Sequence, residues 1–246
     1  MSRVDPLSPA GAGSVLSAGV VRARLHEVAD PAVRLRYLEL AAGQRGRLEA
    51  SEHWQLMLFG RGDARVLGRT IEPGELALLS PGSALGFEAG PRGFEWFEIE
   101  VLDPAEPGPG IGIAPRSPLV PFPEELIVVS ETTPEYFGRT LSLAEVLVPP
   151  GVTTSQHRLS VDERYLMLEG TATMLLDGQA LPTGPGDVIR IPAGVMQSIR
   201  NESPSEVLRF HCLCTPPFRR DAYTAGPVAG SGPEGFELEA WWQRAR

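Results

Sequence analysis

Lysine is missing altogether from the 246 residues, so all 22 basic side chains are arginine. Such a bias reflects genome composition more than chemistry, and against 31 acidic residues it leaves a formal net charge of −9. An acidic chain argues against a nucleic-acid partner or an anionic membrane surface, both of which need positive potential. Cysteine is nearly absent too. Cys212 and Cys214 are the only two, and side chains two apart on a strand do not make an ordinary disulfide. No run approaches the roughly 18 apolar residues of a membrane span, and the start MSRVDPLSPAGAGSVLSAGV has no compact apolar core behind a basic head. These absences predict a cytoplasmic protein in a reducing compartment, with small-molecule partners, no nucleic acid and no membrane.

Glycine and proline, by contrast, are abundant at 27 and 24 residues, while the 42% hydrophobic and 22% charged content is ordinary for a globular chain. Short apolar runs broken by Gly and Pro read as many turns and few long helices, hence an all-β barrel or sandwich. Residues 1–18 are small and polar and read as a flexible arm. Over 19–102 the runs VRLRYLEL, HWQLMLFG, GELALLSPG and FEWFEIEVL are strand-length. The stretch 103–123 is too rich in Pro and Gly for ladder pairing and reads as a linker. Strand-like runs resume over 124–223, with a hairpin signal at Asp177-Gly178. The tail, 224–246, carries Phe236, Leu238, Trp241 and Trp242, which can dock on a barrel or a neighbouring subunit.

The two halves repeat. His53-WQLMLF-Gly60 falls on Glu163-RYLMLE-Gly170, with Gly74-ELALLSPG 14 residues beyond the first glycine and Gly186-DVIRIPAG 16 beyond the second. Duplication of one barrel unit is the economical explanation.

The second half contains Gly151-VTTSQ-His157-R-Leu159-SVD-Glu163-RYLMLE-Gly170, followed by Gly186-DVIRI-Pro192-A-Gly194-VM-Gln197-SIR-Asn201. These two segments resemble the paired signatures of the cupin superfamily. The later CTPPF with Arg219, Arg220, Asp221, Ala222 and Tyr223 is similar to the end of small mannose-6-phosphate-isomerase-like cupins. The resemblance implies two tandem cupin (jelly-roll) β-barrels, a bicupin, in which alternate inward residues of several strands aim at one point. It also implies a divalent transition metal, Fe(II), Mn(II), Ni(II) or Zn(II). Carried over residue by residue, His157 and Glu163 match the family's ligands, Leu159 stands for a second histidine, and Gln197 stands for the histidine of the second signature. The implied set is therefore His157, Glu163 and Gln197, with His157 and Glu163 also the catalytic candidates. Gln156 or His211 is an alternative further ligand. On VLRFHCLC, Arg209, His211 and Leu213 share one face and Phe210, Cys212 and Cys214 the other, and the sequence leaves open which faces inward.

An inward carboxylate in an apolar barrel needs a compensating metal, arginine or cation. Arg158 and Arg190 are candidates for that partner and, with Tyr165, for the substrate pocket. Cys212 and Cys214 read as packing residues, since two thiols alone complete no zinc site. In the first half, Arg47, Glu49 and His53, with Leu85 or Gly86, stand at the matching places. No three-ligand set can be assembled there, so that barrel reads as degenerate and structural, with His26 and His53 as ordinary polar residues. Two functions compete. One is a metal-dependent enzyme, a dioxygenase, isomerase or lyase acting on a small organic acid, keto compound or sugar. The other is a metal-free cupin that binds a sugar or small metabolite without chemistry. A homodimer scaffold is a weaker third reading.

Overall fold

In the computed structural model, backbone is described for residues 20–26, 32–102, 110–134 and 137–246, and side chains from residue 32 onward. The expected arm and His26 lie outside the described side chains. The chain divides into two units, Met1–Arg116 and Ser117–Arg246.

The first unit consists of β1 (Val20–His26), β2 (Val33–Leu40), β3 (Arg45–Leu48), β4 (Trp54–Val66), β5 (Arg69–Ile71), β6 (Leu76–Leu79), β7 (Leu85–Val101) and β8 (Ile111–Ala114). They form one antiparallel sheet in the order β1-β2-β7-β4-β6-β8, with β3 on β7 and β5 on β4. The long strands β4 and β7 bend together where their register shifts around Gly62. A Cβ on Gly62 would lie 2.1 Å from the Gly93 carbonyl oxygen, and Gly62 has φ +81°, so this corner requires glycine. Phe59, Phe87, Phe94 and Trp96 fill the inside of the bend, with Phe94 stacked on Trp96 at 5.1 Å.

The second unit comprises β9 (Val120–Phe122), β10 (Ile127–Glu131), β11 (Ser142–Val148), β12 (His157–Leu159), β13 (Asp162–Glu169), β14 (Ala172–Leu176), β15 (Gln179–Thr183), β16 (Val188–Ile191), β17 (Gln197–Asn201), β18 (Leu208–Thr215), β19 (Tyr223–Ala225) and α1 (Leu238–Ala245). Two sheets, β16-β13-β18-β11-β10-β9 and β15-β14-β17-β12-β19, enclose a core of Val146, Met167, Met174, Ile199 and Phe210. The chain is thus all-β, two tandem jelly-roll barrels. The hairpin expected at Asp177-Gly178 joins β14 to β15 as a two-residue turn, with both residues at positive φ, +46° and +79°. Asn201 is fully buried at the end of β17. Its Nδ2 donates to the carbonyls of Val148, Pro149 and Glu206 at 3.0, 3.1 and 2.8 Å, and its Oδ1 accepts from Ser203 N at 3.0 Å. One side chain therefore ties the ends of β11, β17 and β18.

Two expectations need correcting. The stretch 103–123 does pair: it supplies β8, which pairs with β6, and β9, which pairs with β10. Both are edge strands, and Pro121 sits in β9, where a missing N–H leaves no ladder partner unsatisfied. The repeat is also displaced by two residues. Gly74 N donates to Phe59 O as Gly186 N does to Met167 O, so Phe59 corresponds to Met167. It follows that Gly62, not Gly60, is the counterpart of Gly170, and that Gln55, not His53, is the counterpart of Glu163. The displacement arises because the two signatures differ in turn length, which a glycine-to-glycine overlay hides. In the tail, Leu238, Phe236, Trp241 and Trp242 pack with Val128 and Leu147 of the second unit.

Candidate functional site in the C-terminal barrel

Strand alternation decides what faces the inside of the second barrel. On β18, Phe210, Cys212 and Cys214 line the interior, so His211 and Arg209 point to the opposite face, where Arg209 Nε pairs with Glu145 at 2.6 Å. His211 is therefore not a candidate partner of His157. On β12 the same rule turns His157 and Leu159 inward and Arg158 outward. Arg190, half exposed on β16, pairs with Asp162 at 3.2 Å and does not line the cavity. Gln156 does not line it either; its backbone pairs with Gly226 and Val228. Tyr165 does, stacked on Phe210 at 4.4 Å.

The inward groups meet at a cavity of about 460 Å³. Its walls are mainly apolar, with Ile127, Val146, Leu159, Ile199 and Phe210, and one region carries His157, Glu163, Tyr223 and Glu125. Gln197 lies directly across from His157 in the β12–β17 ladder, and its Nε2 donates to Glu163 Oε2 at 2.7 Å, bridging the two sheets. The Cys214 thiol donates to Glu163 Oε1 at 3.8 Å. Gln197 Oε1 is buried with no hydrogen-bond partner.

Glu125 carries no sequence signal, and Tyr223 reads only as part of the CTPPF-type ending, not as a site residue. Glu125 sits in the turn between β9 and β10, outside both signatures, and is followed by Leu126 at φ +59°, a left-handed conformation that leucine rarely adopts. Its Oε1 lies 3.2 Å from His157 Nδ1, which is also 3.2 Å from the Ser155 carbonyl oxygen. Because a carbonyl oxygen only accepts, the Ser155 contact puts the proton on Nδ1 and leaves Nε2 as the acceptor of the ring. The Tyr223 hydroxyl donates to Glu125, and its ring stacks on His157 at 5.2 Å.

Burial governs the protonation of these groups. Desolvation raises Glu125 from 4.5 to about 8, the nearby Glu163 adds to the rise, and the Tyr223 hydrogen bond opposes it. Glu163 is also raised by burial, against partial relief from Gln197 and the two thiols. His157 is lowered by burial, so it is neutral near pH 7. The thiols of Cys212 and Cys214 are pushed up by burial and by Glu163, which makes them S–H donors rather than thiolates.

This donor set departs from the one the signatures imply. Leu159 occupies a wall position with no donor, Gln197 presents its N–H to Glu163, and Glu163 is engaged by amide and thiol donors. Among the described residues no three His, Cys, Asp or Glu side chains converge as a metal group.

The first barrel shows what became of the equivalent place. There Gln55 stands for Glu163, and across the ladder Glu98 stands for Cys212. Arg36, at the position of Ala144, forms an ion pair with Glu98, to which Gln55 Nε2 donates at 3.1 Å. Arg47 and Glu49 form a surface ion pair, and His53 lies beside Glu52.

The Cupin domain model matches residues 144–214. An uncharacterised protein of Methanocaldococcus jannaschii is 34% identical over 87 residues, 35% of this chain and 69% of that protein. Among solved structures, oxalate decarboxylase of Bacillus subtilis superposes with a TM-score of 0.59 at 17% identity, covering 100% of this chain and 84% of that one. AerE from Microcystis aeruginosa superposes with a TM-score of 0.58 at 10% identity, covering 81% and 99% respectively. No helix among the described residues is long and apolar enough to cross a membrane.

Proposed function

Starting from a chain that belongs to the cupin superfamily, we propose that its second barrel binds a small, largely apolar organic molecule and acts on its polar end with the protein's own acid and base groups. The observation that carries this reading is the cavity of about 460 Å³ in which a neutral His157, oriented by the Ser155 carbonyl and with Glu125 beside it, shares an apolar chamber with the buried carboxyl of Glu163. Pockets of a few hundred Å³ with a few polar groups among apolar walls are the usual form of a small-molecule site. Chemically, His157 Nε2 is placed to accept a proton, and a protonated Glu163 is able to donate one, the division of labour that isomerases and lyases use. The cavity is unsuited to a small dianion such as oxalate, because its walls are mainly apolar and both charges would lose their hydration there.

The reading is tested by metal analysis of the full chain purified without a histidine tag, together with ligand screening by thermal shift. Less than one tenth of an equivalent of any transition metal is expected, with stabilisation by small organic compounds that is lost in Leu159→Trp, which fills the cavity. A stoichiometric transition metal that disappears in His157→Ala overturns it.

A further inference from the structure

We infer that the molecule held in the second barrel is a neutral carbonyl compound, of the ketone type, seated with its oxygen on the Tyr165 hydroxyl and its apolar body against the walls formed by Ile127, Val146 and Ile199. This rests on the proposal that the cavity is a small-molecule site and names the chemical class of its occupant.

The hydroxyl groups of the cavity wall carry the inference. Thr154 Oγ1 accepts from Ile199 N at 3.0 Å, Ser142 Oγ accepts from Phe218 N at 2.8 Å, and the Tyr223 hydroxyl donates to Glu125. Tyr165 differs from these three. It is only 4% exposed, stands two residues from Glu163 on the inward face of β13, and lines the cavity. Its ring is held by the stack on Phe210, and its hydroxyl has no hydrogen-bond partner among the described residues. The oxygen is not closed in by protein but opens on the cavity. A phenol ionises only at about pH 10, so near neutrality this group is an O–H with nothing to donate to. A phenylalanine would make the same ring stack without the cost of desolvating a hydroxyl, so the hydroxyl points to a ligand acceptor.

The walls decide which acceptor fits. A charged oxygen would lose its hydration among apolar side chains, and Arg219 and Arg220, which could compensate it, are exposed, with Arg220 already paired with Glu124 at 3.0 Å. An alcohol brings a hydrogen that needs an acceptor of its own. A carbonyl oxygen accepts and asks for nothing in return, so one phenol satisfies it while the rest of the molecule meets apolar surface.

Calorimetric titration of the full chain at pH 7 with acetophenone, 1-phenylethanol and ethylbenzene, molecules of nearly the same shape, tests the inference. The ketone is expected to bind more tightly than the alcohol and about five-fold more tightly than the hydrocarbon, the worth of one neutral hydrogen bond away from water. Tyr165→Phe should bring the ketone to within about two-fold of the hydrocarbon while leaving the hydrocarbon's own affinity within about two-fold, which also shows that the variant keeps its cavity. The infrared carbonyl stretch of bound acetophenone should lie below its position in hexane and return to that position in Tyr165→Phe. Alcohol or hydrocarbon binding as tight as the ketone's overturns the carbonyl assignment, and a ketone preference or a lowered stretch that survives Tyr165→Phe overturns the role of Tyr165; the small-molecule site stands in both cases. If none of the three binds while a divalent metal does, the small-molecule reading fails and the inference with it.

Discussion

The two barrels handle the same spot in opposite ways, and single residues make the difference. In the first, Arg36 reaches Glu98 and fills the space with an ion pair; in the second, Ala144 leaves room and the carboxyl of Glu163 faces a cavity. Removing one member of a buried pair strands the other, so Arg36→Ala is expected to destabilise the protein by about 3 kcal/mol in urea unfolding. That is the low end of the usual range, because Arg36 retains 22% side-chain exposure. Arg45→Ala, which breaks an exposed pair with Glu88, should change stability by less than about 0.5 kcal/mol. At this scale the resemblance to the cupin signatures pointed to His157, Glu163 and Gln197, which the structure brings next to one another, but Glu125, which lies against His157 from a turn some thirty residues upstream, carried no pattern. Arg158 and Arg190 were plausible cavity residues until strand alternation turned one outward and an aspartate engaged the other.

Elements are held in place by the residues that the signatures share. Asn201 is the clearest, because three carbonyls depend on one amide group. Asn201→Ala leaves those carbonyls buried and should cost about 2–4 kcal/mol in denaturant unfolding, with the barrel loosened where β11, β17 and β18 meet. Asn201→Asp should cost a similar amount, since it removes the donor and keeps the size. Strand existence was legible here from alternating apolar runs. What composition concealed were β8 and β9, since proline is read as a strand breaker unless the strand is known to lie at an edge, and edge position is a property of the assembled sheet.

For the whole molecule the buried carboxyls predict how stability varies with pH. Glu125 rises from 4.5 to about 8 on folding, and Glu163 is raised as well, so between these values the folded state holds protons that the unfolded chain releases. Their contribution is fully present below about pH 4.5 and is lost as pH rises toward 8. The thermal midpoint should accordingly fall between pH 5 and pH 8, and Glu125→Gln should flatten that slope when the two scans are compared. The sequence by itself determined the all-β class, the duplication and the residues that frame the second signature, because turns, strand periodicity and ligand spacing are local and survive in one dimension. Only the tertiary structure decided that His211 faces away, that Gln55 is the counterpart of Glu163, and that Glu125 and Tyr223 join His157. Those facts depend on ladder register and on the meeting of two sheets, which no local pattern encodes.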